Sequence, residues 1–180
     1  AIAMTTNGKF IDPFNGVSDI KNKVIRFVGN PANRIYEDPC RILRAFRFYC
    51  LFNQCSIDKD TFIALVEHAH LVKHIPPERI RLELMKVLTY DRPSAFFMHL
   101  RDHKILQNIF PWLNNCYGFS GGDHHDETVW LHSMLTCDWL PKSKPLLRLA
   151  GYLHDTGKPY AWDGKNFLKH ESVGAIRTKT

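Results

Sequence analysis

Hydrophobic residues recur at helical spacing along most of the chain, and they alternate with polar residues only near its beginning. The alternation surrounds Asn7 and Gly8, a pair typical of a two-residue type I′ hairpin turn. The pattern therefore predicts a mainly helical fold with a small β-sheet at its start. The predicted strands cover residues 2–6, 9–12 and 23–28, and the predicted helices cover about 38–52, 58–72, 77–90, 93–103 and 127–138.

The helix predicted at 77–90 has the clearest two-sided pattern, and Pro77 marks its start. One stripe is apolar and another is charged, so one face is expected in the core. The apolar stripe contains Ile80, Leu84, Val87 and Leu88, and the charged stripe contains Glu78, Arg79, Glu83 and Lys86. Farther along, the glycine-containing segment 114–126 is the expected linker, and His124 and His125 within it are expected to be polar loop residues.

Residues 37–48 carry the first candidate for chemistry. Asp38 suits the N-cap of a helix, and Pro39 suits its first position. Asp38 and Arg41 are then expected to project together from the first turn. An Asp accepts a hydrogen bond from an exocyclic amino group and an Arg donates a planar fork, so the pair has the chemistry to read cytosine or adenine. A surface ion pair that only supports the helix is the alternative.

A second candidate lies toward the end of the chain, where histidines and one carboxylate are spaced for a metal. Neighbouring residues on a regular helix face different ways, so His154 and Asp155 can share one ion only across a helix end. Gly157 follows as a helix terminator. Imidazole and carboxylate ligands suit a divalent transition metal or magnesium, although a polar histidine at a helix end is the alternative.

Composition narrows the class of protein without naming a reaction. The length of 180 residues and the 44% hydrophobic fraction are sufficient for one large or two small globular domains. The net charge of +6 favours a polyanionic partner. The five cysteines include no CxxC pair, and no apolar run or signal peptide marks a membrane or exported protein. A cytoplasmic protein with reduced cysteines and no membrane partner is expected.

The segment from Glu37 to Arg41 resembles the EDxxR signature of the class II tRNA nucleotidyltransferases, which are the bacterial-type CCA-adding enzymes and their poly(A) polymerase relatives. Residues 10–20 and 77–84 resemble two further segments of that family, DPFGG…DL and ERI..EL. The resemblance implies a site for incoming CTP or ATP and contacts to tRNA or phosphate. The nucleotide-binding residues would be Glu37, Asp38, Arg41, Arg44 and Arg47, and the RNA- or phosphate-binding residues would be Arg79 and Arg81.

The segment around His154 resembles the signature of the HD phosphohydrolases. The pattern of that family ends in a further Asp, and no Asp follows Asp163, so the resemblance implies that this last ligand lies beyond residue 180 or that the site is degenerate. The resemblance implies that a divalent metal, Mg²⁺, Mn²⁺ or Ni²⁺, binds to His132, His154, Asp155 and His170. It also implies that His154, Asp155 and Lys158 are catalytic. The substrates implied are 2′,3′-cyclic phosphates, 2′-nucleotides or simple phosphomonoesters.

The order of these segments implies four parts. The first part, the end of a β-sheet palm, would be residues 1–30, and the second, a helical neck and body, would be residues 31–113. A linker at residues 114–126 would join the body to the start of a helical HD domain at residues 127–180. The GGxxRD and DxD elements that hold Mg²⁺ for nucleotidyl transfer are not in this sequence. The chain is therefore expected to be the central-to-C-terminal portion of a longer enzyme and to be inactive in transfer by itself.

The expected function is the addition of C, C and A to tRNA 3′ ends from CTP and ATP, with an HD domain that acts on phosphate esters. Three alternatives stay open: an HD phosphohydrolase on a helical scaffold, a poly(A) polymerase relative, and a non-catalytic RNA-binding protein. No DNA partner is expected, and the sequence leaves the oligomeric state open.

Overall fold

A computed structural model describes residues 2–52, 54–120 and 127–178 of the chain. The chain divides into two compact units, Ala1–Glu83 and Leu84–Thr180. Both are mainly helical, and the described strands form two small sheets, which confirms the predicted fold class. The four-part division into a palm remnant, a neck and body, a linker and an HD domain stays a prediction. No helix in the described ranges is long and apolar enough to cross a membrane.

The first unit begins with an antiparallel hairpin of β1 (Ala3–Met4) and β2 (Phe10–Ile11). The turn between the strands is not the predicted type I′ turn. The Gly8 amide donates to the Thr5 carbonyl at 3.0 Å, and Gly8 has a φ of 81°, whereas Asn7 is not among the described residues with positive φ. A type I′ turn needs positive φ at both central residues. The loop is therefore a type I turn closed by a left-handed glycine.

The rest of the first unit is helical except for one short parallel strand pair. Its elements are α1 (Gly16–Lys21), β3 (Val24–Ile25), α2 (Pro31–Glu37), α3 (Cys40–Leu51), β4 (Ser56–Ile57), α4 (Lys59–Glu67), a 3₁₀ helix (Ala69–His74) and the start of α5 (Pro77–Val87). The predicted strand 23–28 shrinks to β3, and the predicted helix 58–72 divides at His68. Helices α1 and α2 and strand β4 were not predicted.

Helix α2 is held at its start by Asn30, whose side chain accepts a hydrogen bond from the Asn33 amide at 3.0 Å. It packs against α3 and α4. Helix α3 buries one face in the core of the unit, and the fully buried large side chains there are Ile35, Ile42, Leu43, Phe46 and Leu65. This packing fixes the opposite edge of α3, which carries Arg41 and Arg44, toward solvent.

Helix α5 confirms most of its predicted stripe, because Leu84, Val87 and the following Leu88 are buried. Glu83 differs from the prediction. It was expected on the charged, solvated face, yet it is only 6% exposed and forms an ion pair with Arg47 of α3. A buried carboxylate needs such a partner, and the partner comes from a distant part of the chain.

The second unit consists of helices and connecting loops within the residues described. Its elements are α6 (Ser94–Asp102), two 3₁₀ helices (Leu106–Asn108 and Pro111–Cys116), α7 (Val129–Trp139), α8 (Pro145–Leu153), α9 (Lys158–Ala161) and α10 (His170–Arg177). Helix α7 packs along α8, and α9 packs against α10. The largest fully buried side chains include Tyr152, Phe96, Phe97, Leu100 and Ile105.

Arg148 ties the second unit together. The residue is only 3% exposed. Its side chain donates hydrogen bonds to the carbonyls of Leu140 at 2.7 Å, Leu88 at 3.0 Å and Asp138 at 3.3 Å. These carbonyls lie at helix ends, where backbone acceptors lack intrahelical partners. One guanidinium therefore satisfies several chain ends at once.

Candidate functional site

Asp38 lies between α2 and α3 and contacts both α3 and α5. Its Oδ1 accepts a hydrogen bond from the amide of Cys40, the first residue of α3, at 3.1 Å. Helix α3 begins one residue after the predicted first position, so Pro39 and not Asp38 is its N-cap. Both carboxylate oxygens also accept from the Arg79 guanidinium at 2.8 Å. The hydrogen bonds from Arg79, more than the one from the Cys40 amide, lower the pKa of Asp38 against the opposing effect of burial. Asp38 is therefore an oriented, ionised acceptor.

Arg41 does not pair with Asp38, although the sequence predicted that the two side chains would act together. Its guanidinium donates to Glu37 at 2.9 Å and to the Arg34 carbonyl at 2.7 Å. Glu37 also accepts from the Arg34 side chain. The hydrogen bond from Arg41 is the main cause that lowers the pKa of Glu37. Asp38 and Arg41 are thus fixed by separate partners, and each keeps hydrogen-bonding capacity for a ligand.

An open cleft of about 280 Å³ lies on the exposed edge of α3. It combines guanidinium groups with an aromatic and aliphatic wall. The lining residues are Ile25, Arg26, Phe27, Val28, Arg34, Arg41, Arg44, Ala45 and Phe48. Arg26 is held at the cleft by Asp58 and by Asp19, whose Oδ2 lies 3.1 Å from the Arg26 Nε.

The four arginines give the cleft the chemistry of a site for a polyphosphate. Arg41 and Arg44 were predicted as nucleotide-binding residues, and the structure brings them together. Arg26 and Arg34 were not predicted. The spacing of Arg34 three residues before Glu37 could have indicated that Arg34 lies near the predicted site. Nothing in the sequence around Arg26 indicates that β3 ends beside α3.

Three other predicted residues, Arg47, Arg79 and Arg81, do not line this cleft. Arg47 contacts Glu83, and its guanidinium lies 4.1 Å from the centre of the Phe48 ring. Arg79 is engaged by Asp38. Arg81 is exposed, and the described residues offer it no ion pair.

The second cluster lies in the second unit and centres on Asp155, which is 4% exposed. The Asp155 Oδ2 lies 3.2 Å from His154 Nε2, 3.8 Å from His132 Nε2 and 2.8 Å from Lys158 Nζ. The Asp155 Oδ1 lies 3.4 Å from His170 Nε2. The structure therefore brings together all five residues that the sequence predicted for this centre. We call these five residues the HD cluster.

Each histidine of the HD cluster is oriented by a hydrogen bond from its other ring nitrogen. His154 Nδ1 donates to the Gly151 carbonyl at 2.7 Å, and His170 Nδ1 donates to the Phe167 carbonyl at 2.9 Å. His132 Nδ1 lies 3.1 Å from Glu127, a partner that the sequence did not reveal. Such contacts fix the ring orientation that turns each Nε2 atom toward the carboxylate, as in metal-binding histidines.

The charges within the HD cluster are strongly coupled. Burial raises the pKa of Asp155, but hydrogen bonds from His154 and Lys158 outweigh it and hold that pKa well below the ordinary range. The hydrogen bond to Asp155 raises the pKa of His154. A proton on His154 or a metal ion between the Nε2 atom and the carboxylate oxygen satisfies both groups at these distances.

The donor set of the HD cluster fits a divalent metal. One ligand atom from each of His132, His154 and Asp155 lies within 4.8 Å of the others. Mixed nitrogen and oxygen donors suit Mn²⁺, Ni²⁺ or Zn²⁺ better than they suit an ion that prefers oxygen ligands alone. His170 reaches the opposite oxygen of the same carboxylate, so it is placed for a second cation or for a phosphate rather than for the same position.

Gly157 brings His170 to the cluster. Gly157 was predicted to end a helix, but α8 already ends at Leu153 and Gly157 is the N-cap of α9. Its φ is −81°, so the backbone does not require a glycine. Space requires it instead. A Cβ there would lie 1.9 Å from the His170 carbonyl oxygen and 2.5 Å from the Gly174 amide nitrogen. The close approach of α10 to the start of α9 therefore depends on this glycine. His124 and His125 lie outside the described residues.

Comparison with known proteins shows similarity in fold to enzymes that process RNA ends. Residues 55–117 match the model of a family described as the probable RNA- and SrmB-binding site of polymerase A. The fold is similar to that of the Bacillus stearothermophilus CCA-adding enzyme in complex with CTP, with a TM-score of 0.60, 25% identity and coverage of 99% of this chain and 43% of that chain.

Two further solved structures are similar. One is a tRNA nucleotidyltransferase complexed with a primer tRNA and an incoming ATP analogue, with a TM-score of 0.58, 26% identity and coverage of 96% of this chain and 50% of that chain. The other is an apo form of a tRNA-processing enzyme, with a TM-score of 0.61, 24% identity and coverage of 99% and 49%. The chain spans half the length of these proteins or less. These matches show that the chain shares the fold of CCA-adding enzymes, whose family the segment from Glu37 to Arg41 also resembles.

Proposed function

We propose that this chain supplies the nucleotide-selecting part of a CCA-adding tRNA nucleotidyltransferase. The observation that carries the proposal is the arginine-lined cleft on α3, which includes Arg41. Asp38, three residues before Arg41, is anchored separately by Arg79. The matched structures include complexes with CTP and with an ATP analogue and a primer tRNA. CTP, ATP and tRNA are accordingly the proposed ligands of the whole protein.

The physical basis is a division of roles between the residues of the cleft and Asp38, which precedes α3. Guanidinium groups of Arg26, Arg34 and Arg44 attract the triphosphate, and the Phe48 ring offers an apolar wall. Asp38 can accept from the exocyclic amino group of cytosine or adenine, and Arg41 can donate to a ring nitrogen or carbonyl. Guanine and uracil present a carbonyl where cytosine and adenine present that amino group, so Asp38 would repel them.

Contacts to tRNA are proposed for Arg81, which is exposed, and for Arg79, which is partly exposed and already bound to Asp38. The Mg²⁺ needed for transfer is proposed to bind carboxylates outside this sequence. Product length distinguishes CCA addition from the poly(A) polymerase alternative. An RNA-binding protein without catalysis would bind tRNA and leave its 3′ end unchanged.

Nucleotide selection tests the proposal in the intact enzyme. Asp38→Ala and Arg41→Ala should each lose discrimination against GTP and UTP by at least about tenfold, because a site that loses one hydrogen-bonding partner leaves its counterpart unpaired. Incorporation of the four labelled nucleotides into tRNA measures this. Asp102→Ala is the matched control, since it removes the carboxylate of a surface ion pair in the second unit. Unchanged selectivity in both variants would contradict the proposal.

The 180-residue chain by itself provides a second test. It should not incorporate CTP or ATP into tRNA, because the carboxylates proposed to hold Mg²⁺ are not in it. Robust metal-dependent incorporation by the purified chain would show that the transfer site has been misplaced.

A second function is proposed for the HD cluster: metal-dependent hydrolysis of phosphate esters. The observation that favours it is the convergence of three oriented imidazoles and Lys158 on one buried carboxylate. A divalent ion held by His132, His154 and Asp155 would supply positive charge and lower the pKa of a water molecule. Lys158 would draw in the phosphate, and His170 would orient it from the side of the other carboxylate oxygen.

Metal titration of the intact protein tests this function. Mn²⁺ or Ni²⁺ should bind in calorimetry, and His154→Ala or Asp155→Ala should weaken binding by at least about tenfold while nucleotide addition survives. His103→Ala is a control that removes a histidine of the second unit outside the HD cluster. Hydrolysis that persists in both cluster variants would show that these residues are structural.

A further inference from the structure

An aromatic cluster lies next to the HD cluster in the second unit. The rings of Trp162 and Phe167 are 4.6 Å apart between centres and inclined by 33°, so they are stacked with a tilt. Phe119 meets both edge-on, at 6.4 Å from Trp162 and 6.1 Å from Phe167. Trp162 is nevertheless 43% exposed. The cluster therefore supports the indole from beneath and leaves much of it open to solvent.

A tight loop holds the two stacked rings in place. The Asp163 carboxylate accepts hydrogen bonds from the Lys165 amide at 2.8 Å and the Asn166 amide at 2.6 Å. The Asp163 amide donates to the Asn166 carbonyl at 3.2 Å, and Gly164 takes a φ of 95°. This turn reverses the chain between Trp162 and Phe167. The backbone of the turn therefore brings the two rings together.

The same cluster touches the charged groups of the HD cluster. The Lys158 ammonium lies 5.6 Å from the centre of the Phe167 ring and 2.8 Å from Asp155. The Phe167 carbonyl accepts the hydrogen bond that orients His170. Phe167 thus stands between the exposed indole and the proposed phosphate-binding groups, and a single nucleotide is long enough to bridge them.

We propose that Trp162 stacks a nucleobase whose phosphate ester is held at the HD cluster, so that Trp162 determines specificity for nucleoside phosphate esters over simple phosphomonoesters. The inference rests on the proposed phosphohydrolase function. A supported aromatic face binds any base by its π-surface, and an adjacent cation binds the attached anion. A small sugar phosphate would use the cation alone and would gain nothing from the indole.

Hydrolysis of paired substrates tests the specificity. For adenosine 2′,3′-cyclic phosphate, Trp162→Leu in the intact protein should raise KM about tenfold with little change in kcat, because stacking holds the base and not the reacting phosphorus. For ribose 2′,3′-cyclic phosphate, which lacks the base, the same variant should leave kcat/KM unchanged. Trp162→Phe should restore most of the loss. Trp139→Leu is the matched control, since Trp139 is 85% exposed on α7.

Equilibrium binding of 2′-AMP separates this proposal from hydrolysis. If the protein proves not to be a hydrolase, Trp162→Leu should still weaken 2′-AMP binding by about tenfold, whereas Trp139→Leu should not. No binding by the unmodified protein, or equal binding by all variants, would overturn the role of Trp162. Binding of an oligonucleotide that ends in a 2′,3′-cyclic phosphate shows whether the ligand is an RNA end or a free nucleotide. If the oligonucleotide binds more tightly than 2′-AMP and this binding depends on Trp162, the ligand is an RNA end. Equal binding of the two indicates a free nucleotide.

Discussion

Replacing Gly157 with alanine is predicted to displace His170 from the HD cluster without removing any of the polar groups of the cluster. The added Cβ would lie 1.9 Å from the His170 carbonyl oxygen and 2.5 Å from the Gly174 amide nitrogen, inside the 3.0 Å limit that real Cβ atoms respect. Both obstructing atoms are backbone, so no side chain can rotate away. Helix α10 must therefore move away from the start of α9.

The magnitude follows from the required movement. To restore an allowed contact the His170 backbone must shift by about 1 Å or more. Its Nε2 now lies 3.4 Å from Asp155, so such a shift takes the imidazole out of reach of the carboxylate. Overpacking against backbone is expected to cost about 3 kcal/mol. For a unit of this size the midpoint of thermal unfolding should fall by more than about 10 °C.

Thermal unfolding followed by circular dichroism, together with calorimetric titration of Mn²⁺, measures both effects. Gly174→Ala is the graded control at the same contact. Its Cβ would meet the Gly157 amide nitrogen at 3.2 Å and the Thr156 hydroxyl at 3.3 Å, so a smaller movement is sufficient. Gly157→Ala should lose at least about tenfold in metal affinity, because the metal ligand Asp155 loses the contact of its Oδ1 with His170, and Gly174→Ala should lose less. A Gly157→Ala protein with unchanged melting and metal affinity would refute the reasoning.

Three further perturbations have defined outcomes. Glu83→Gln should lower the free energy of unfolding in urea by about 3 kcal/mol, because Arg47 stays buried without a carboxylate, and a loss below about 1 kcal/mol would contradict this. Arg148→Met should lower it by about 3 kcal/mol, since several buried carbonyls lose their donor; an unchanged urea midpoint would count against it. The lowered pKa of Asp38 means that its pairing with Arg79 stabilises the fold at neutral pH and that this contribution is lost as the pH falls through that pKa. Arg79→Met should raise the pKa of Asp38 in an NMR titration and flatten the acid dependence of stability, and a pKa that stays low would exclude Arg79 as the cause.

The sequence by itself determined the helical class and the positions of the main helices. Helices α3 and α5 carry their own signals, because apolar residues repeat at the helical period and Pro77 marks a start. The sequence also indicated Asp38, Arg41 and the members of the HD cluster. Side-chain chemistry and short spacing are local properties, and they are readable without a fold.

Tertiary structure decided which of these groups meet. Asp38 and Arg79 are separated by 41 positions, and Arg47 and Glu83 by 36, so no local pattern predicts either pair. Arg26 joins the arginine-lined cleft only because β3 ends beside α3. The Asn7-Gly8 turn shows the same limit at short range, since the dipeptide permits more than one turn and the strand register selects among them. Gly157 matters for the space between α9 and α10, which exists only after both helices have packed.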